Sequence, residues 1–98
     1  MAQYPIVPRP GGSASVLNIT AATVVKATPG TVFTVNNNVL GTASEGSVHD
    51  CATTGAVSAA NLVANIPLAV GTYSFTFPCA VGIVVVPGTS QVFSVAFS

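Results

Sequence analysis

Charge is what this sequence has least of. Of 98 residues, two are basic, two are acidic and one is histidine, so charged side chains make up 4% of the chain and the formal net charge is +0. An average soluble chain carries about 25%. With Arg9 and Lys26 as the only cations, no basic cluster exists to neutralise phosphates, which excludes nucleic acid as an expected partner. Glu45 and Asp50 are the only acids and stand in or beside one loop. They read as solvating that loop rather than as two carboxyl groups flanking a cleft for glycoside cleavage. Tryptophan is absent, and the Phe and Tyr residues stand at the spacing of strand cores, not of a sugar-stacking platform. Long apolar runs are missing too. Ala80 to Val86 falls far short of the ~20 residues that cross a bilayer, and no basic region followed by an apolar run marks a secretory signal. No membrane role is expected. Gly11-Gly12 lacks the Lys and the helix that would make a phosphate cradle.

The single histidine, His49, lies in Val48-His49-Asp50-Cys51. On a strand, His49 and Cys51 would share a face about 7 Å apart, with Asp50 pointing away. A nucleophilic pair needs convergence and an orienting group, so His49 reads as a loop or edge histidine making a hydrogen bond. His49, Cys51 and Cys79, with Asp50 as a fourth ligand, lack the paired spacing of a metal site. No catalytic residue, metal or cofactor is therefore expected. Two cysteines permit one disulfide or none. Without a secretory signal the expectation is two free, buried thiols, and a disulfide formed after assembly would need suitable geometry.

What is present is apolar and β-forming. Half of the residues are hydrophobic, and a chain with almost no charge lacks the self-repulsion that keeps proteins dispersed. Partners are expected to cover much of its surface. Residues 1–13 read as an extended arm. Pro5, Pro8 and Pro10 fix φ and remove donors, Gly11-Gly12 adds a hinge, and Tyr4, Ile6 and Val7 are apolar anchors. Such an arm suits strand addition to a neighbour, with Tyr4, Ile6, Val7 and Arg9 as the candidate partner-binding residues.

Residues 14–98 form the expected body. Ser15 to Thr20 and Thr23 to Ala27 are rich in β-branched residues, and Pro29-Gly30 marks a turn. In Thr31 to Asn36, Phe33 and Val35 alternate with Thr34 and Asn36. Asn36-Asn37-Asn38 reads as a turn, and Ser47 to Cys51 as a short strand. Ala56 to Ala64 has room for one helical turn, ended by Ile66-Pro67. Tyr73, Phe75 and Phe77 alternate with Thr72, Ser74 and Thr76 until Pro78 stops the strand. Ile83 to Val86 is a run buried on both faces or at an interface. After the Pro87-Gly88 turn, Phe93, Val95 and Phe97 alternate with Val92, Ser94 and Ala96. Short strands punctuated by Pro/Gly turns indicate an all-β fold, a small antiparallel β-sandwich or barrel.

Several segments also carry a resemblance. They are Ile19 to Gly30 (ITAATVVKATPG), Gly46 to Gly55 (GSVHDCATTG), Ala59-Ala60-Asn61, Ile66-Pro67, Gly71-Thr72-Tyr73, Phe77-Pro78-Cys79 and Gly82 to Gly88 (GIVVVPG). Together they span about residues 15 to 98 and resemble small virion proteins of tailed bacteriophages, some of them similar to capsid decoration, or cement, proteins. The resemblance implies a β-sandwich or jelly-roll-like barrel. It implies a structural protein on the capsid exterior, assembled in the host cytoplasm, whose partners are the major capsid protein and copies of itself in a dimer or trimer. A tail- or fibre-associated part and a carbohydrate- or host-surface-binding module are the alternatives. The resemblance brings no catalytic residues.

Overall fold

A computed structural model describes residues 14–98. The proposed arm, with Tyr4, Ile6, Val7 and Arg9, lies outside the described residues. Eight strands follow in order: β1 (Ala14–Ile19), β2 (Thr23–Lys26), β3 (Gly30–Asn37), β4 (Gly46–His49), β5 (Leu62–Ile66), β6 (Gly71–Cys79), β7 (Ile83–Val86) and β8 (Phe93–Phe97). They form two four-stranded sheets, β1-β8-β3-β6 and β2-β7-β4-β5. Every pairing is antiparallel.

The pairing has a simple rule. First strand pairs with last, second with seventh, third with sixth, and fourth with fifth. The chain is thus one long hairpin, folded double with its tip between β4 and β5 and then rolled so that successive pairs fall in alternate sheets. That is the jelly roll, an eight-strand double sheet in which Greek-key crossings replace local hairpins. The expected all-β sandwich is therefore present, and its connectivity is the rolled one. Most turn signals read from the sequence are crossings between sheets, and only β4 and β5 are successive strands that pair.

The core lies between the sheets. Ile19, Val32, Val35, Val48, Ile66, Cys79, Ile83, Val85, Phe93 and Val95 form one buried cluster, with Val16, Val25, Val63, Tyr73, Phe75 and Phe97 packed against it. The Ile83 to Val86 run occupies an inner position between β2 and β4. Ile83 and Val85 face the core, and Val84, fully buried outside that cluster, faces the other way. This strand is covered on both faces, as its unbroken apolar text implies.

Several expectations need correction. Asn37 is strand, not turn, and is 1% exposed. Phe33 does not share a face with Val35. Val32 pairs with Phe97 and Thr34 with Ala96, so Phe33 is an extra residue against β8, and the bulge breaks the alternation. It leaves Phe33 buried but outside the central cluster. On β6 two residues between Ser74 and Phe77 oppose one on β3, and Thr76 takes a φ of 35°. Phe77, opposite Val32 on this edge strand, is 41% exposed rather than buried like a core aromatic. Pro78 does not stop β6, which runs on to Cys79. The strand lies at a sheet edge, where a missing N–H is tolerated. The Ala56 to Ala64 segment begins where one short 3-10 turn, Thr54–Ala56, ends, holds a second, Ala59–Asn61, and then enters β5.

Gly46 shows how tightly the sheets close, because a Cβ there would collide with the Phe93 ring. Phe93→Ala is expected to cost about 3–5 kcal/mol, since it empties the centre of the cluster. Leu17→Ala, at a 68% exposed position, is expected to stay within about 0.5 kcal/mol. Urea unfolding of both variants checks the contrast.

Candidate functional site

The His49 region is built by the rolled hairpin's tip. Gly46 packs against Phe93 and Val48 enters the core, so by alternation Ser47 and His49 take the opposite face of β4. Beta4 is an inner strand between β7 and β5, and the connection to β5 folds back over it. The histidine is therefore neither on a loop nor at an edge, and it is 5% exposed.

Its two ring nitrogens are both engaged. Nδ1 lies 2.9 Å from Asn61 Oδ1 and Nε2 lies 2.8 Å from Ser47 Oγ. An amide oxygen only accepts, so Nδ1–H donates to Asn61; in the neutral ring Nε2 then accepts the Ser47 hydroxyl. Asn61 Oδ1 also accepts the Ser58 N–H at 3.1 Å, and Asn61 Nδ2 donates to the Ala56 carbonyl at 2.8 Å. One asparagine thus pins both 3-10 turns to the histidine. The Asp50 N–H adds a bond to the Asn61 carbonyl at 2.9 Å.

The hydroxyl–imidazole–amide order is that of a nucleophile, a base and its orienter. Here Ser47 is in the interior of a strand paired on both sides. Its surrounding backbone groups serve the ladder rather than a developing oxyanion. What the array does physically is hold the 50–61 connection against sheet β2-β7-β4-β5. Among the described residues there is no pocket, no group of three His, Cys, Asp or Glu placed to hold a metal, and no helix long and apolar enough to cross a membrane.

Asp50 differs from its sequence reading. Rather than solvating a loop, its carboxylate accepts the N–H groups of Ala80, Val81 and Gly82 at 2.9, 2.8 and 3.2 Å. Burial works to raise its pKa, but the three donors, Val81 foremost, together outweigh it and hold the carboxyl below its ordinary 3.8. Asp50 therefore fastens the end of β4 to the β6–β7 turn. Glu45 remains exposed, as expected. Cys51 and Cys79 are both free and buried, as expected.

At the opposite end of the sandwich two buried amides organise the loops. Asn37 donates to the Leu68 and Ala69 carbonyls at 2.9 and 3.0 Å and accepts the Val39 N–H at 3.4 Å. Gln91, 2% exposed, donates to the Pro67 carbonyl and accepts the Gly88 N–H, each at 2.8 Å. Gly41 N–H reaches the Leu68 carbonyl at 2.9 Å, and the Tyr73 hydroxyl donates to the Ala69 carbonyl at 2.7 Å. On the two loops so fixed stand Val39, Leu40 and Val70, which are 44%, 60% and 59% exposed. Scattered exposed apolar residues are ordinary. Three on adjoining, hydrogen-bonded loops make a shaped apolar tip. Sequence reasoning missed Asn37 and Gln91, because an amide carries no mark of burial, and Asn61, because its bond to His49 is made across the fold.

Asp50→Asn is expected to destabilise the protein by about 1–2 kcal/mol near neutral pH, since it weakens charge-assisted bonds that are partly open to water. Because the folded pKa is depressed, this stabilisation is present above the ordinary aspartate value and fades as pH falls below it. The gap between wild type and variant in urea unfolding should therefore narrow from about pH 7 to about pH 3. Asn37→Ala, which strands two carbonyls, is expected to cost about 1–3 kcal/mol in the same assay.

No family model, curated protein or solved structure matches this chain.

Proposed function

We propose that this protein is a structural virion component, a capsid decoration protein that binds the outside of the major capsid protein shell and stabilises it without catalysis. The observation that carries the reading is the apolar tip of Val39, Leu40 and Val70 on a body with four charged residues in 98. A surface of this kind gains by being covered. Exposed apolar side chains bury area on docking, and few charges need to be desolvated. The jelly roll adds general support, since it serves in viral capsids and in lectins alike, although a fold by itself does not assign a function.

The two ends of the body divide the work. Ala14 pairs with Phe97 and Ile19 with Phe93, while Asn37 also pairs with Phe93. Ala14, the first described residue, therefore stands at the end of sheet β1-β8-β3-β6 away from the apolar tip. In this reading the arm, with Tyr4, Ile6, Val7 and Arg9, engages the shell or a neighbouring copy by strand addition. The tip makes a second contact. Two weak contacts on a repeating lattice act together, so each can be modest. A small symmetric oligomer, a dimer or a trimer, is the expected unit, on the virion exterior after assembly in the host cytoplasm.

The test is to mix the purified chain with empty phage capsids that lack it and to image them by cryo-electron microscopy. Ordered density at regular shell positions is expected. Deleting residues 1 to 12 should abolish occupancy while circular dichroism shows a folded body, and Leu40→Ser with Val70→Ser should lower apparent affinity by roughly tenfold or more. A bare shell with the intact chain would overturn the reading and move the protein to the tail or to glycan binding.

A further inference from the structure

The Ser47 hydroxyl is held against a base. Ser47 stands two residues before His49 on β4, and both take the outer face, because Val48 between them enters the core. Ser47 Oγ lies 2.8 Å from Nε2 of the ring, and Asn61 Oδ1 lies 2.9 Å from Nδ1. A neutral ring whose proton sits on Nδ1 leaves Nε2 free to accept from a hydroxyl, and the Asn61 oxygen sets that state. Asn61 is itself held from both ends of its amide, accepting the Ser58 N–H at 3.1 Å and donating to the Ala56 carbonyl at 2.8 Å. A hydroxyl, a base and a fixed orienting group are the parts that make a serine nucleophilic.

The hydroxyl is also within reach of solvent. His49 is 5% exposed beneath the 50–61 connection, but Ser47, one step along β4, is only half-buried. Opposite it stand half-buried Val86 on β7 and exposed Asn65 on β5. Directly opposed residues share a face with Cβ atoms about 5 Å apart, so register puts Asn65 beside Ser47. The backbone here serves the ladder, which leaves the Asn65 amide as the group placed to meet a developing oxyanion. Among the described residues no pocket surrounds this site. A small acyl donor that carries its own good leaving group suits it.

We propose that Ser47 is an acylation site, which takes the acyl group of a small activated ester or thioester while His49 accepts the hydroxyl proton. Ser47 Oγ attacks the acyl carbon, and its proton passes to Nε2. The bond from that carbon to the leaving oxygen or sulfur breaks, and the leaving group departs with the bonding pair. The ring then returns the proton to the leaving group through solvent. The products are a serine ester and a free phenol, alcohol or thiol, with the imidazole neutral again. Hydrolysis is slow, because Nε2 belongs to a buried ring that water reaches poorly. The ester therefore accumulates instead of turning over, so the site adds a modification to a protein that works without catalysis. It does not depend on which partner the protein binds.

Purified full-length chain is incubated with p-nitrophenyl acetate at neutral pH, and acetyl groups are located by pepsin digestion and mass spectrometry. Hydroxylamine removes acetyl esters and leaves acetyl amides, which separates serine from amine products. The expected result is one dominant ester, at Ser47, formed roughly 100-fold faster than on the exposed Ser44, Ser58 and Ser74. This comparison lies within the wild-type chain and needs no variant. Ser47→Ala should remove that ester, and Asn65→Ala, at an exposed position, should slow its formation by roughly tenfold or more. Asn61→Asp keeps an acceptor for Nδ1–H but loses the donor to Ala56. It should react near the wild-type rate while its urea midpoint falls, which separates orientation of the ring from the hold on the connection. Esters spread over the exposed serines without preference for Ser47, a Ser47 left unmodified, or an ester formed as fast in a His49→Gln chain that circular dichroism shows to be folded would each overturn the proposal.

Discussion

The antiparallel pairing of β1 with β8 joins the two ends of the body, and the rest of the architecture is strung between those ends. Once Val16 stands opposite Val95 and Ile19 opposite Phe93, the remaining strands pair inward, second with seventh and third with sixth, until the chain doubles back at β4 and β5. Almost none of these contacts is local. Loop-closure entropy has to be overcome before they contribute, so this fold forms slowly for its size. Its stability rests on the interlocked core rather than on any one hairpin.

That constraint explains where polar side chains are buried. Rolling a hairpin brings loops from distant parts of the sequence together at each end, and their backbone groups need partners. At one end Asn37 and Gln91 serve three connections. At the other, the Asp50 carboxylate serves the turn between β6 and β7. On the outer face of β4, His49 and Asn61 hold down the connection that leads to β5. In a chain with so few ionisable groups, neutral amides do most of this work, with one aspartate at the point where three N–H groups converge.

The same economy shapes the surface. The edge strands β1 and β6 carry irregularities that discourage indiscriminate pairing. Asn18 has a φ of 56° inside a register shift, Thr76 a φ of 35°, and Pro78 lacks a donor. Meanwhile Val39, Leu40 and Val70 remain exposed on loops held rigid from beneath. One sheet thus has both edges broken up, while the apolar tip stays open to solvent.

Much of this was legible in the residues alone. Period-two text marked β6 and β8, and the Ile83 to Val86 run announced a buried strand. Local alternation and turn chemistry are properties of neighbouring residues, so a sequence displays them. The strand order, the bulge that sets Phe33 apart, the exposure of Phe77, the burial of Asn37, Gln91 and His49, and the meeting of Asp50 with Ala80 to Gly82 were decided only by tertiary structure. Each depends on which distant segment is brought alongside, and that is set by the packing of two whole sheets rather than by any stretch of chain.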